Sequence, residues 1–268
     1  MRKIKKIFAT DMDGTFLRND HAYDAERFRK LLDKFDATEA LFCAASGRQL
    51  LALEELFAEF KDKISFVAEN GGVVSIGDEI ISAVAFDKAQ MEELLRALQF
   101  MPSSPREDFM ISGLKGAYAP LTVSQSYFDF IQDYYAKCEK VSSMSKIDDV
   151  MLKISTHFPQ ECIFECADWI NEHVSFARAT TSGYQAVDII PKGISKATGL
   201  DVLAKHFDLT AENVVAFGDQ MNDFEMLQYA GKAVAVENAV DDLKAVADYT
   251  IGRNVDSSVL AEMERLVR

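Results

Sequence analysis

The stretch Lys6-Ile7-Phe8-Ala9-Thr10-Asp11-Met12-Asp13-Gly14-Thr15-Phe16-Leu17 decides how the chain is read. An apolar run breaks into a Gly turn, and two carboxylates stand two residues apart at the break. In an extended chain, side chains at i and i+2 share one face. Two like charges about 4 Å apart repel by roughly 4 kcal/mol at an effective dielectric of about 20. A site that keeps Asp11 and Asp13 together therefore calls for a cation, a proton or an oxyanion chemistry, which points to phosphoryl transfer. Taken alone, Asp13-Gly14 is also a common turn dipeptide, so the weight falls on what accompanies it.

Strand and helix patterns alternate outward from this point. The run 5–9 reads as a buried strand and 24–35 as an amphipathic helix, with Phe28, Leu31, Leu32 and Phe35 at helical spacing. A second buried strand at 40–45 leads into Ser46-Gly47-Arg48 and a helix through Leu51, Leu53, Leu56 and Phe57. A third strand, 65–68, ends at Glu69-Asn70-Gly71-Gly72, and 73–75 with 79–82 form a hairpin across Gly77-Asp78. The carboxyl end repeats the pattern: helix 195–207, strand 213–217, helix 223–229, strand 233–236, helix 240–246 and strand 249–251. Such alternation predicts a parallel sheet covered on both faces. Ligands bind at the carboxyl ends of such strands, where Asp11, Ser46, Asn70 and Asp219 fall.

The middle differs. Strand-like stretches around Phe109-Met110-Ile111, Ala117-Tyr118-Ala119, Leu152-Lys153-Ile154 and Phe176-Ala177-Arg178 interleave with helical patterns at 90–98 and 127–135. Residues 84–186 are therefore expected to form an inserted α+β cap, and 1–83 with 187–268 the core around it. Trp169 reads as a core residue of the cap.

Composition narrows the function classes. The 268 residues carry a formal charge of -14, which argues against nucleic acid and anionic membrane as partners. An anionic substrate must then be drawn in by a local positive site. No run of about 18 apolar residues exists, so no membrane span is expected. The basic start, Met1-Arg2-Lys3-Ile4-Lys5-Lys6, is followed by too short an apolar stretch for a secretory signal. Cys43, Cys138, Cys162 and Cys166 show neither zinc nor disulfide spacing. Free thiols suit a reducing compartment, and the expectation is a soluble, cytoplasmic protein with no protein partner implied. His21, His157, His173 and His206 show no metal spacing; His21 is the one near the Asp pair.

Four pieces distant in sequence fall at strand ends or helix starts: Asp11 with Asp13; Ser46-Gly47; a Lys within Pro191-Lys192-Gly193-Ile194-Ser195-Lys196; and Gly218-Asp219-Gln220-Met221-Asn222-Asp223. Phosphoryl transfer needs a nucleophile, neutralised phosphoryl oxygens, a hard cation and an acid for the leaving group. Mg²⁺ is bound by carboxylates, waters and phosphate oxygens. Each residue also has an ordinary use. Ser46 can cap a helix, Asp223 can be a helix-start charge, and a helical Lys is usually solvated. It is their combination that points to chemistry.

In combination these motifs resemble the haloacid dehalogenase superfamily of aspartyl-phosphate phosphatases, and within it the Cof-type branch with a large α/β cap. Ala9-Thr10-Asp11-Met12-Asp13-Gly14-Thr15-Phe16-Leu17 and Phe66-Val67-Ala68-Glu69-Asn70-Gly71 are similar to its bacterial sugar phosphatases. The resemblance implies an α/β fold with a Rossmann-like parallel-sheet core, and a Mg²⁺-dependent phosphatase of small phosphate monoesters, sugar phosphates foremost. It implies Asp11 as nucleophile and Asp13 as acid and base. Ser46 and the Gly47 N–H would hold a phosphoryl oxygen, and Lys196, rather than Lys192, would neutralise charge. Mg²⁺ would be held by Asp11, the Asp13 carbonyl and Asp219. Asn222 would lie near the phosphate, and Asn222 and Asp223 would orient the surrounding network. Gly113-Leu114-Lys115 and Thr181-Ser182-Gly183-Tyr184 are expected specificity loops. The competing readings are a phosphomutase, which would want more cap arginines than Arg96, Arg106 and Arg178, and a non-catalytic sugar-phosphate binding or signalling module, which has no need of Asp13.

Overall fold

In the computed structural model, which describes residues 3–181 and 186–267, the strands are β1 (Lys6–Thr10), β2 (Ala40–Ala45), β3 (Ser65–Ala68), β4 (Val73–Ile76), β5 (Glu79–Ala83), β6 (Phe109–Gly113), β7 (Ala117–Pro120), β8 (Cys138–Val141), β9 (Met151–His157), β10 (Ala177–Thr181), β11 (Ala186–Pro191), β12 (Val214–Gly218), β13 (Lys232–Val236) and β14 (Tyr249–Ile251). The helices are α1 (Ala25–Thr38), α2 (Leu50–Leu56), α3 (Lys88–Phe100), α4 (Gln125–Ile131), α5 (Ile163–His173), α6 (Lys196–His206), α7 (Phe224–Tyr229), α8 (Asp241–Val246) and α9 (Ser258–Leu266). The chain divides into two compact units: Met1–Ser46, Phe57–Ser82 and Ser195–Arg268 in one, Gly47–Leu56 and Ala83–Ile194 in the other. Compared with the expected bounds, residues 47–56, Ala83 and 187–194 go with the second unit. The causes are local: β11 pairs with β9 and β10, and the Gln49 amide bonds to the carbonyls of Gly113 and Gly116.

The first unit is an eight-stranded sheet in the order β14-β13-β12-β1-β2-β3-β4-β5. From β14 to β3 all neighbours are parallel, and β4 then runs antiparallel to β3. Parallel strands are covered on both faces, so they read as unbroken apolar runs. Accordingly every residue of β2 is buried. β1 lies between β12 and β2, and its ladder continues past its end, where the Asp11 N–H donates to the Phe217 carbonyl at 3.0 Å. The Ser46 N–H donates to the Val67 carbonyl at 2.9 Å, and the Asn70 N–H to the Ser46 carbonyl at 3.0 Å. Four strand ends thereby deliver Asp219, Asp11, Ser46 and Asn70 to one edge of the sheet.

Aromatic rings fill the layer beneath that edge. Phe28 on α1 meets Phe42 on β2 edge-on at 4.7 Å and Phe60 at 5.1 Å. Phe16, five residues after Asp11, packs on Phe42 at 5.2 Å and Phe28 at 5.5 Å, so the loop carrying the Asp pair is anchored in the core. α1 starts where the Asp24 side chain accepts the Arg27 N–H at 2.9 Å, an ordinary N-cap.

The second unit is a six-stranded sheet in the order β10-β11-β9-β6-β7-β8, antiparallel except between β7 and β8. Its residues alternate between two apolar clusters, as a strand's period of two requires. Phe109 and Ile111 join α3 and α5 in one cluster, while Met110 joins Tyr127 and Ile131 of α4 in the other. Trp169 is partly buried against the first and stacks on His173 at 4.2 Å. The Gly113-Leu114-Lys115 loop is tied down, with the Lys115 N–H donating to Asp149 Oδ2 at 2.7 Å and its Nζ to the Asp148 carbonyl at 2.6 Å. Of the other expected specificity loop, Ser182, Gly183 and Tyr184 lie outside the described residues.

Removing the Phe28 ring leaves a cavity between α1 and β2. Phe28→Ala is expected to destabilise the protein by about 3–5 kcal/mol. Thermal unfolding should show a midpoint lower by roughly 10 °C, and a shift of under about 2 °C would mean that the cluster does not hold this layer together.

Candidate active site

The loop after β1 is built around Gly14, whose φ is +79°. A Cβ there would lie 2.4 Å from Asp219 Oδ2, so only glycine lets the two loops meet. The Phe16 and Leu17 N–H groups close the turn on the carbonyls of Asp11 and Met12. Asn238 Nδ2 donates to the Gly14 carbonyl at 2.7 Å, and Asn254 Nδ2 to the Leu17 carbonyl at 2.9 Å.

Lys196 is the first residue of α6, and the Ser195 hydroxyl caps the helix by accepting the Thr198 N–H. The turn Glu69-Asn70-Gly71 packs against that cap so tightly that a Cβ on Gly71, whose φ is +102°, would lie 2.0 Å from the Ser195 carbonyl. A cation at a helix N-terminus opposes the macrodipole. Lys196 is nevertheless fully buried there, with Nζ donating to Asp11 Oδ1 and Asp223 Oδ1, both at 2.6 Å. Charge-assisted hydrogen bonds of this length are among the strong ones. Lys192, the other lysine of that stretch, is exposed.

Asp223 is fully used. Its second oxygen accepts the N–H groups of Asp219 at 3.0 Å and Gln220 at 3.1 Å, which fixes the loop after β12. Asp219 Oδ1 accepts from the Thr15 hydroxyl at 2.6 Å, and its carboxyl lies within hydrogen-bonding reach of Asp11. Asp11, Asp219 and Asp223 thus present carboxylate oxygens within 4.8 Å of one another, all buried.

Three carboxylates face one ammonium, and the excess negative charge is unfavourable in a buried place. Burial, followed by the neighbouring carboxylates, raises the Asp11 carboxyl well above its ordinary range although Lys196 pulls the other way. Asp219 is pushed up to about 7 by burial and by Asp223. Burial would lower the Lys196 ammonium, but Asp11 and Asp223 together lift it above its ordinary value. An all-oxygen set with surplus negative charge fits a hard divalent cation. With both Asp223 oxygens engaged, Asp11 and Asp219 are the carboxylates that would hold such a cation.

Asp13 is less buried than this group. Its side chain is 33% exposed, and its Oδ1 lies 3.1 Å from His21 Nδ1. Asn222 Nδ2 donates to Asn70 Oδ1 at 3.2 Å. Ser46 is buried at the sheet edge, while Gly47, the next residue, belongs to the second unit. The structure therefore brings Asp11, Asp219, Asp223 and Lys196 into direct contact, and places Asn222 on the Asn70 turn. Thr15, Asn70, Asn238, Asn254 and His21 also brace these loops; Thr15 lies within the first motif, Asn70 and His21 fall near the motifs, and nothing in the sequence singles out Asn238 and Asn254.

A model of the haloacid dehalogenase-like hydrolase family matches residues 8–263. The chain belongs to this family. It is 30% identical over 265 residues to the 5-amino-6-(5-phospho-D-ribitylamino)uracil phosphatase YbjI of Escherichia coli (strain K12), covering 98% of this chain and 96% of the relative. It is 24% identical to YwtE of Bacillus subtilis (strain 168), a phosphatase named for the same compound, over 98% of both chains. The crystal structure of SMU.1108c from Streptococcus mutans UA159 superposes with a TM-score of 0.92 at 28% identity, covering 99% of each chain. As a member of this family with phosphatase relatives, the chain is a phosphoric monoester hydrolase, and its α/β core with an inserted α+β unit is the fold of its structural neighbours.

The raised carboxyls make a prediction about stability. A carboxyl whose value rises on folding binds protons more tightly folded than unfolded. Its contribution is complete below the ordinary value of 3.8 and is lost as pH climbs through about 7. Metal-free protein should therefore lose thermal stability from pH 5 to pH 8, apart from any global charge effect. Mg²⁺ at a hundredfold excess over its Kd should restore about 2.7 kcal/mol, or roughly 5–10 °C, at the upper end of that range. No Mg²⁺-dependent shift in a melting series across pH would remove the cation from the Asp11–Asp219 pair.

Proposed function

We infer that the protein is a Mg²⁺-dependent phosphatase of small phosphate monoesters that works through a phosphorylated Asp11. The observation that carries this reading is Asp11 buried against Lys196 and two carboxylates, with the more exposed Asp13 two residues away. In this reading an Asp11 oxygen bonds to phosphorus as the ester P–O bond breaks. Asp13 gives its proton to the departing alkoxide. Water then attacks the phosphorus of the aspartyl phosphate, Asp13 takes its proton, and inorganic phosphate leaves with Asp11 regenerated. Lys196 offsets charge on Asp11 and the phosphoryl oxygens. Ser46 and the Gly47 N–H hold one of those oxygens, and Asn222 and Asp223 orient the surroundings. Bound by Asp11, Asp219 and the Asp13 carbonyl, Mg²⁺ would supply charge neutralisation and a template for the phosphoryl group.

The relatives and the sequence motifs together support one substrate class. Two relatives are named for a uracil that carries a phosphorylated ribityl chain, and the motifs resemble those of sugar phosphatases. A phosphate on a polyhydroxylated carbon chain is common to both, and we take a sugar or sugar-alcohol phosphate as the substrate. Among the described residues no helix is long and apolar enough to cross a membrane, and all four cysteines are free thiols. Both facts are compatible with a cytoplasmic enzyme acting on a diffusible ester.

The test is release of inorganic phosphate from a panel of sugar and sugar-alcohol phosphates and p-nitrophenyl phosphate, with Mg²⁺ and with EDTA. Release should require Mg²⁺. Asp11→Asn should abolish it with the melting midpoint intact, and Asp13→Asn should lower kcat by about 10²–10⁴. Turnover by Asp11→Asn at the wild-type rate would refute the mechanism. A sugar phosphate isomerised without net phosphate release would favour a phosphomutase.

A further inference from the structure

The second unit buries an ion pair that the reaction above does not use. Lys153 on β9 and Asp188 on β11 have side chains only 2% and 5% exposed, with 3.3 Å between Nζ and Oδ2. Burying such a pair gains little for stability over apolar packing, so its geometry is informative. Ser155 directs its hydroxyl to Asp188 Oδ1, Tyr135 OH lies 2.6 Å from Ser155 Oγ, and Tyr127 OH donates to the Ser155 carbonyl at 2.8 Å. This network ends on a main-chain atom: Lys153 Nζ donates to the Gly47 carbonyl at 2.5 Å.

Two residues on, the fully buried Gln49 makes a second anchor. Its Nε2 donates to the carbonyls of Gly116 at 2.9 Å and Gly113 at 3.2 Å, and its Oε1 accepts the Ala136 N–H at 3.0 Å. Ser46, in contrast, is held in the first unit by backbone bonds to Val67 and Asn70. The peptide Ser46–Gly47 is thus where the chain passes from one unit to the other. It carries the Gly47 N–H that the phosphatase reading assigns to a phosphoryl oxygen. The Ser46 carbonyl of this peptide accepts the Asn70 N–H, while the chain just after it is held by Lys153 at the Gly47 carbonyl and by the Gln49 side chain.

We propose that Lys153, oriented by Asp188, and Gln49 are positioning residues that set the phosphate-binding geometry of the Ser46–Gly47 peptide; the proposal rests on the phosphatase reading. Neither side chain acts on substrate. They fix the direction of a donor, and a displacement of about 1 Å at such a group can cost about 100-fold in rate.

The experiment is a double-mutant cycle on the full chain. Gln49→Met removes one anchor without creating a charge. Lys153→Met combined with Asp188→Asn removes the other while leaving no buried charge unpaired. Each is made in wild-type and Ser46→Ala backgrounds, and kcat/KM and competitive inhibition by inorganic phosphate are measured with Mg²⁺. Each anchor variant should lose about 10- to 100-fold in kcat/KM and bind inorganic phosphate more weakly, and in the Ser46→Ala background the loss should shrink to within about twofold. Hydrogen exchange at the amides of 47–49 should accelerate in the anchor variants. Equal losses in both backgrounds, or unchanged exchange in folded variants, would overturn the proposal. If one variant fails to fold, the other carries the cycle. Absence of phosphate release by the wild-type enzyme would strike the phosphatase reading itself, a result distinct from the outcome of the cycle.

Discussion

The ammonium of Lys196, buried between the carboxylates of Asp11 and Asp223, is the constraint around which the first unit is arranged. A lysine with no solvent contact must be fully paired, and this one is paired to the ends of two different strands. Asp11 follows β1, and Asp223 closes the loop after β12. The lysine itself arrives at the start of α6, against the macrodipole, in a position a helix would not choose. Local preferences are overridden in this way at places where function sets the residue. The close approach of Gly71 to the helix cap follows from the same requirement, since α6 must come near enough to put Nζ between the two carboxylates.

The electrostatics follow from that pairing. One cation does not balance three buried carboxylates: burial and the neighbouring carboxylates raise the Asp11 and Asp219 carboxyls above their ordinary range. In the proposed reaction Asp11 must be ionised to act as nucleophile, and a bound divalent cation would favour that form and attract a phosphate ester. The overall charge of -14 makes this local arrangement necessary, because the global field repels an anionic substrate. Asp13, whose side chain is 33% exposed, would in the proposed reaction exchange protons with the leaving group and a water. Two carboxylates two residues apart thus differ in exposure, one buried against Lys196 and one partly open.

Much of this was legible in the sequence where a residue's role is set by its neighbours along the chain. The runs at β2 and β3 could be read to the residue, because buried parallel strands bounded by turns leave continuous apolar stretches; β14 also falls on its expected bounds, although it is only partly buried. The Asp-x-Asp-Gly turn located the centre of the site. What was not legible depends on contacts across space. β11 holds Asp188 in mid-strand and ends in Pro191, a pattern that makes sense only once Lys153 and Ser155 lie across from it. β8, a short strand with Glu139 and Lys140 at its centre, carries no apolar signal. Helix α9 does carry one, with Val259, Leu260 and Met263 at helical spacing, and lies beyond the last expected strand. The two lysines of 192–196 could not be separated by composition, whereas burial separates them at once. The assignment of 47–56 to the second unit likewise depends on Gln49 reaching carbonyls more than sixty residues away.

The central claim is that Asp11 carries the phosphoryl group during turnover. The most direct measurement is mass spectrometry of enzyme quenched in acid while it turns over a sugar phosphate with Mg²⁺, in wild type and in Asp13→Asn, followed by mapping of the modified peptide. The account predicts one added phosphoryl group on the peptide containing Asp11, more abundant in Asp13→Asn, where its hydrolysis is slowed. Sustained phosphate release with no phosphorylated Asp11 in either protein, or a phosphoryl group on another residue, would contradict it.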